Sequence, residues 1–389
     1  MPEWAAPDPV MMWYPESFGR EFGPNGAGHD AQAIQAAVAA SQAYAGPTAA
    51  GTIVLSQQYV LEAPVVVPPG PPVHFWFANG AMNRQVNPPT FTGASLQPAN
   101  GYAGSALLTI GSAGNPNTNP NGTMLINPTL NGASPNGTLV ANLIGLLIND
   151  TSDVILDRPQ IANFDRTGGT GIGIKLAGTG SNNAVGLNIH HGVISTCWKG
   201  LMVDGAGSTD HRITKILFHS NTQGFDNGPS GGASGGGLQM SDCHFVYAGA
   251  PAGAFALQMG TGAGDYDIHG NYFDKYGNNV TVLLTNSKGR LSGNHFLPDV
   301  AQAGPLVTLS TATQQLNFSD NDCQANASAM TALFKLLAGA GGAPTNGTYV
   351  GNNVYGVHAS LAATLIDKNN VALPATATAT TYVQGNVAE

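Results

Sequence analysis

Four polar residues stand at comparable places at or just after short apolar runs of period two: Lys175, Asp204, Asp226 and Gln258. The runs are laid over one another with Leu146/Ile148, Ile172/Ile174, Leu201/Val203, Phe225, Leu257 and Val280/Val282 pointing inward. The four polar residues then form one outward stripe on successive turns, preceded by Asn149 and followed by Leu283 or Thr285. Neighbouring parallel strands lie ~4.8 Å apart, and two carboxylates that close raise one another's affinity for a proton. One can then serve as general acid and the other as base or nucleophile. Retaining glycosidases hold their carboxyls ~5–5.5 Å apart and inverting ones ~6.5–9.5 Å; side-chain splay covers both. Asp204 and Asp226 are the expected catalytic pair, with Lys175 and Gln258 holding substrate hydroxyls or a carboxylate. The same residues also fit an ordinary solvated face, and a one-residue slip would turn each side chain over.

Other groups compete for a role. Asp165-Arg166 follows a turn in a Gly-rich loop, where it either lines the same groove or forms a local ion pair. Trp198 stands just before a groove strand, placed to stack on a sugar ring or to pack. His190-His191 together with Asp210-His211-Arg212 would make a His/Asp site, but no nucleophile accompanies them. Asp265-x-Asp267 and Asp320-x-Asp322 hold half the oxygens of a calcium loop and fit turn capping better. Gly168-Gly-Thr-Gly-Ile-Gly173 lacks the helix a dinucleotide loop needs. Cys197, Cys243 and Cys323 are widely spaced and read as single buried thiols. No cofactor and no metal is expected.

The elements that position these residues are written in a repeat. One six-residue phrase appears as Ile268–Phe273, Leu291–Phe296, Phe318–Cys323 and Val350–Tyr355, each with a large residue at both ends and Asn in fourth place. Five earlier copies, Leu125–Leu130, Leu156–Ile161, Ile189–Ile194, Ile213–Phe218 and Met240–Phe245, replace the Asn. Successive copies lie 23 to 33 residues apart, a repeat typical of units that bury their apolar faces only against neighbours. The phrase reads as strand, bend and strand, with Asn supplying the left-handed residue of the bend. A third short strand lies between phrases. The fold class is thus all-β, a parallel β-helix with three strands per turn.

Before the coil, residues 1–28 are Pro-rich and read as an arm. Asp30 to Tyr44 carries an N-capping Asp and apolar residues along one face, a helix placed to cover the first rung. Residues 29–124 hold this cap and the first turns, 125–356 the central coil, and 357–389 a C-terminal cap or association segment. Charged residues are only 9%, and the 13 Lys and Arg form no basic cluster against a net charge of −9. Nucleic acid and anionic membrane are therefore excluded as partners. No apolar run approaches the ~18 residues of a membrane span, and the opening residues lack the pattern of a secretory signal. The expectation is either a cytosolic protein or one that leaves by a non-Sec route, such as assembly into a virus particle.

The opening of the coil resembles the pectate-lyase-like right-handed β-helix family, which includes many bacteriophage tailspikes. The matching residues are Asp30, Ala33, Ile34, Gln35, Ala37, Val38, Gly51 to Leu55, Tyr59, Leu61 and Val67 to Gly70. The resemblance implies a right-handed solenoid that binds glycans in the groove beside the first strand of each turn, and a homotrimer. Its members include lyases, glycoside hydrolases, epimerases and binding-only tail proteins, so chemistry is argued from the site. The Asn-Thr-Asp, Asp-Asp and Gly-His-Gly signatures of polygalacturonases are absent, Arg212-Ile-Thr-Lys215 only superficially echoes the Arg-Ile-Lys signature, and no calcium-binding aspartates or arginine base of pectate lyases are found. The expected function is hydrolysis of a microbial surface or extracellular polysaccharide; the alternatives are a polysaccharide lyase and a non-catalytic tail or adhesion protein.

Overall fold

In the computed structural model the chain winds into a right-handed parallel β-helix. The structure describes residues 11–18, 30–44, 50–114, 117–178, 186–205, 208–228, 236–260, 265–276, 281–285, 288–298, 306–310, 315–324, 334–336, 347–350, 352–355, 366–367, 381–384 and 387–388. Their strands form three long sheets of 13, 12 and 11 strands, parallel throughout. The first half of each phrase lies in the first sheet and the second half in the second. The between-phrase runs make the third. Register follows the repeat: Leu125, Leu156, Ile189, Ile213, Met240, Ile268, Leu291 and Phe318 stand one above another. All are buried. At the other end of the phrase, Phe218, Phe245, Phe273 and Phe296 stack with ring centroids 4.5, 5.0 and 4.8 Å apart. Such pairs add ~0.5–1.5 kcal/mol each beyond the area they bury.

The last copy sits one residue earlier than its sequence suggests. Phe318 pairs with Tyr349, and Cys323 with Val354, so the phrase is Tyr349–Val354 and its Asn is Asn352. The bend itself also differs from expectation. Its left-handed residue stands in third place, before the Asn or the residue that replaces it: Lys215, Asp242, Gly270, Gly293 and Asp320 have φ between 55° and 65°. The Asn in fourth place turns inward and builds a ladder. Asn271 donates its backbone N–H and its Nδ2 to Asn294 Oδ1, both at 3.0 Å. Asn294 does the same to Asn321, and Asn321 to Asn352. Their remaining Nδ2 hydrogens reach carbonyls of the first sheet, such as Leu291 O at 3.1 Å. A buried bend exposes backbone groups that no strand pairs, and the amide supplies both a donor and an acceptor.

The helix Asp30–Tyr44 buries Ile34, Ala37 and Val38 against the first turn. Its polar side chains close the edge strands. Gln35 donates to Val66 O at 2.7 Å and accepts Val66 N–H at 2.9 Å, while Asp30 accepts Val60 N–H at 2.7 Å. The first sheet is extended instead by Met12–Trp13, beside Gly51–Leu55. Part of the segment expected as an arm thus joins the coil, and Glu16 fixes it by accepting from Ser56, Gln57 and Tyr59. Strands Ile366–Asp367, Thr381–Gln384 and Val387–Ala388 continue the three sheets into the C-terminal segment.

Candidate functional site

The expected stripe residues lie on strands of the third sheet, in a register different from the one expected. Lys175, Met202, Asp226 and Gln258 occupy one column. Asp204 stands two residues further along its strand, level with Ala177. The expected stripe is thus off by two residues in two strands, at Asn149 and Asp204, which both stand level with Ala177; a slip of two leaves side chains on the same face and so goes unnoticed by alternation. Asp204 and Asp226 are separated by one rung and two residues, about 8 Å between backbones given ~4.8 Å per rung and ~3.3 Å per residue.

Each aspartate has its own lysine. Lys175 Nζ lies 2.8 Å from Asp204 Oδ2, in a pair that is partly open to solvent. Lys199 Nζ lies 2.5 Å from Asp226 Oδ2, with side chains only 7% and 2% exposed. The Lys199 ammonium also sits 4.7 Å from the centre of the Trp198 ring, a cation–π contact. Asp226 Oδ1 is buried with no hydrogen-bond partner among the described residues. Burial raises the Asp226 carboxyl above the ordinary carboxylate range, opposed by the Lys199 hydrogen bond and charge and aided by the charge of Asp204.

Lys199 escaped sequence reasoning because strict alternation from Leu201 and Val203 would point it into the core. A bulge inverts it. A Cβ on Gly200 would meet Asn221 and Phe218 inside the coil, so Gly200 and Leu201 both face inward and Lys199 faces out. The skip recurs on each rung, since Ile144 pairs with Ile172 and Leu146 with Ile174 while the glycines between them stay unpaired. The signal was present: Gly145, Gly173, Gly200 and Gly224 each precede an inward apolar residue.

The loop before the third-sheet strands holds the remaining candidates. Asp165 and Arg166 do not pair with each other. Asp165 accepts Gly168 N–H at 2.9 Å and the Thr170 hydroxyl at 2.7 Å, which folds the loop over Gly169, beside the Trp198 ring. Arg166 donates to Ser220 O at 3.1 Å and lies over the Tyr247 ring. Trp198 therefore stands between this loop and Lys199, with the ammonium over its ring.

The expected His/Asp site divides. His190 meets Asp157 rather than Asp210, because Asp157 is its register partner on the neighbouring rung. His211 is buried, and burial lowers it to about 4. Arg212 instead reaches Gln239 at 3.1 Å, on the wall of a cleft of about 500 Å3 on the outside of the first sheet. Asp265 and Asp267 line the same cleft; Asp265 pairs with Lys288 and Asp267 with His269. None of the acids lining that cleft is buried as Asp226 is, so the third-sheet aspartates remain the better candidates for acid–base chemistry. Cys197 and Cys243 are buried thiols pushed up to about 12 by burial, unsuited to nucleophilic work. The Cys323 side chain lies outside the described residues.

Among known proteins, no family model matches this chain, and neither does any curated sequence. Solved structures do match. A single-residue mutant of DFA-IIIase from Arthrobacter chlorophenolicus A6 aligns with a TM-score of 0.62 over 98% of this chain and 93% of its own, at 16% identity. The same enzyme in complex with GF2 aligns with a TM-score of 0.54 at 12% identity, over 98% and 88%. PfbA, a surface adhesin of Streptococcus pneumoniae, aligns with a TM-score of 0.55 at 14% identity, over 89% and 86%. At such identities the likeness establishes the β-helix and leaves the chemistry to the residues.

Proposed function

We propose that this protein is a glycan-active β-helix that hydrolyses a polysaccharide in the groove of its third sheet. The observation that carries the proposal is the unequal environment of the two aspartates. Asp226, buried and raised, suits the general acid; Asp204, more exposed and beside the Lys175 charge, suits the base that activates water. The backbone separation of about 8 Å leaves the carboxyls free, through side-chain splay, to adopt either the retaining or the inverting spacing. Gln258, next to Asp226, and the loop of Asp165 and Arg166 would hold sugar hydroxyls, with Trp198 against a ring face. DFA-IIIase, a structural neighbour, is solved in complex with GF2, and a ligand of that kind is the one this reading expects here. By the resemblance of its opening motif, the chain would be a tailspike-like homotrimer.

The test is incubation with a panel of bacterial surface polysaccharides, following both reducing ends and the absorbance of unsaturated sugars. New reducing ends without that absorbance support hydrolysis. Asp204→Asn and Asp226→Asn should then each reduce turnover by ~100-fold or more, the usual scale of acid–base contributions. Absorbance would mean a lyase and a different base. A second reading is favoured by one observation: a lysine neutralises each aspartate, which suits a binding surface like that of an adhesin. Saturable binding with no cleavage across the panel would select it.

A further inference from the structure

We infer that Asp157, His190 and His191 form a binding site for a divalent transition metal, Zn2+ in the first instance. Asp157 and His190 are register partners on neighbouring rungs of the first sheet, at its corner with the second. His191 follows in the bend with φ 59°, a left-handed conformation that turns its ring back toward His190. One ligand atom from each of Asp157, His190 and His191 lies within 4.8 Å of the other two.

Two of the three separations have the length a metal would impose. His190 Nδ1 lies 3.2 Å from Asp157 Oδ1 and 3.2 Å from His191 Nδ1. Ligands at ~2.0 Å around a tetrahedral Zn2+ stand ~3.3 Å apart. Hydrogen bonding alone serves this arrangement poorly. An imidazole Nδ1 carries either one hydrogen or one lone pair, so His190 Nδ1 cannot satisfy both neighbours as donor or as acceptor. A cation accepts a lone pair from each of the three atoms at once.

The donor set narrows the ion. Two imidazoles and one carboxylate suit Zn2+ and its first-row neighbours, whereas Ca2+ and Mg2+ require oxygen ligands. Arg158 Nε holds Asp157 Oδ2 at 3.2 Å, which leaves Oδ1 turned to the histidines. Three protein ligands leave a fourth position for water or an external group. The ion would also tie two successive rungs together at a corner of the first sheet, whereas Asp204 and Asp226 lie on the third.

Titration of tag-free protein with ZnCl2 by calorimetry, with thermal unfolding in parallel, tests the site. The expected result is one Zn2+ per chain and a raised unfolding temperature. His190→Ala and His191→Asn should each weaken binding by tenfold or more; Asn is chosen because it tolerates the left-handed bend. His269→Ala, at the separate Asp267 pair, should bind like the wild type. Co2+ on the unaltered protein should give visible d–d absorption, a readout that needs no variant to fold. Absence of saturable Zn2+ binding would overturn the inference, as would binding that survives either ligand substitution.

Discussion

Lys199 and Asp226 form a nearly solvent-free ion pair, and removing only the cation is the most informative perturbation. In Lys199→Met the stem is replaced at similar volume, but the Asp226 carboxylate stays buried with no counter-charge, and its Oδ1 already lacks a partner among the described residues. Breaking one side of such a pair costs ~3–5 kcal/mol, whereas replacing both sides with apolar residues is often neutral or stabilising. Lys199→Met should therefore lower unfolding stability by about 3 kcal/mol at pH 7.5, and Lys199→Met/Asp226→Leu should recover most of it. The pH dependence has a definite sign. Without Lys199, the carboxyl rises further above its unfolded value, so the folded state binds the extra proton and stability falls as pH rises. The single variant should thus lose less at pH 5 than at pH 7.5, each compared with wild type at the same pH. Urea unfolding of the four members of the cycle at both pH values is the assay. A loss under ~1 kcal/mol, equal at both pH values, would refute the burial argument. Under the proposed function the double variant is folded and inactive, which separates the structural role of the pair from its chemical one.

The buried His211 predicts a pH response of the unaltered protein. Its folded value of about 4 lies below the unfolded 6.5, so its contribution is complete above pH ~6.5 and is lost as pH falls toward 4, on the order of 3 kcal/mol in all. His211→Leu should flatten the stability curve over that interval, measured by thermal unfolding across pH. In the ladder, Asn321→Ala removes partners of the Asn294 N–H and of Leu291 O. Unmade buried hydrogen bonds cost ~1–3 kcal/mol each, so denaturant unfolding should show a loss of a few kcal/mol, and a loss below 1 would contradict the ladder's role. Gln35→Ala frees the backbone groups of Val66 and should promote self-association, readable by light scattering, because an open strand edge templates pairing.

The rungs were legible because the phrase repeats its own pairing: a large residue at each end, stacked in register from Leu125 to Phe318. The covering helix was legible from Asp30 and its apolar face. What stayed hidden has physical causes. Asn352 and Asn353 both fit the fourth place of the last phrase, and it is strand pairing and the ladder that select Asn352. The bend needs a left-handed residue and an inward amide, two demands that the sequence meets at adjacent positions and that a single Asn was expected to meet alone. Alternation cannot detect a slip of two, so Asp204 was aligned with Lys175 although Met202 holds that place. The glycine bulge reverses the parity of Lys199, and proximity in sequence concealed that His190 belongs with Asp157, 33 positions earlier.

The side chains that close the first edge strands give the coil a head. Gln35 meets both backbone groups of Val66, and Asp30 takes the N–H of Val60, so no strand of another chain can add there without displacing the helix. A duplicated rung can enter the middle of the stack, where each turn meets parallel strands above and below, but not in front of the helix. Lengthening of such a molecule, by gene duplication or by end-to-end docking, therefore has one permitted direction.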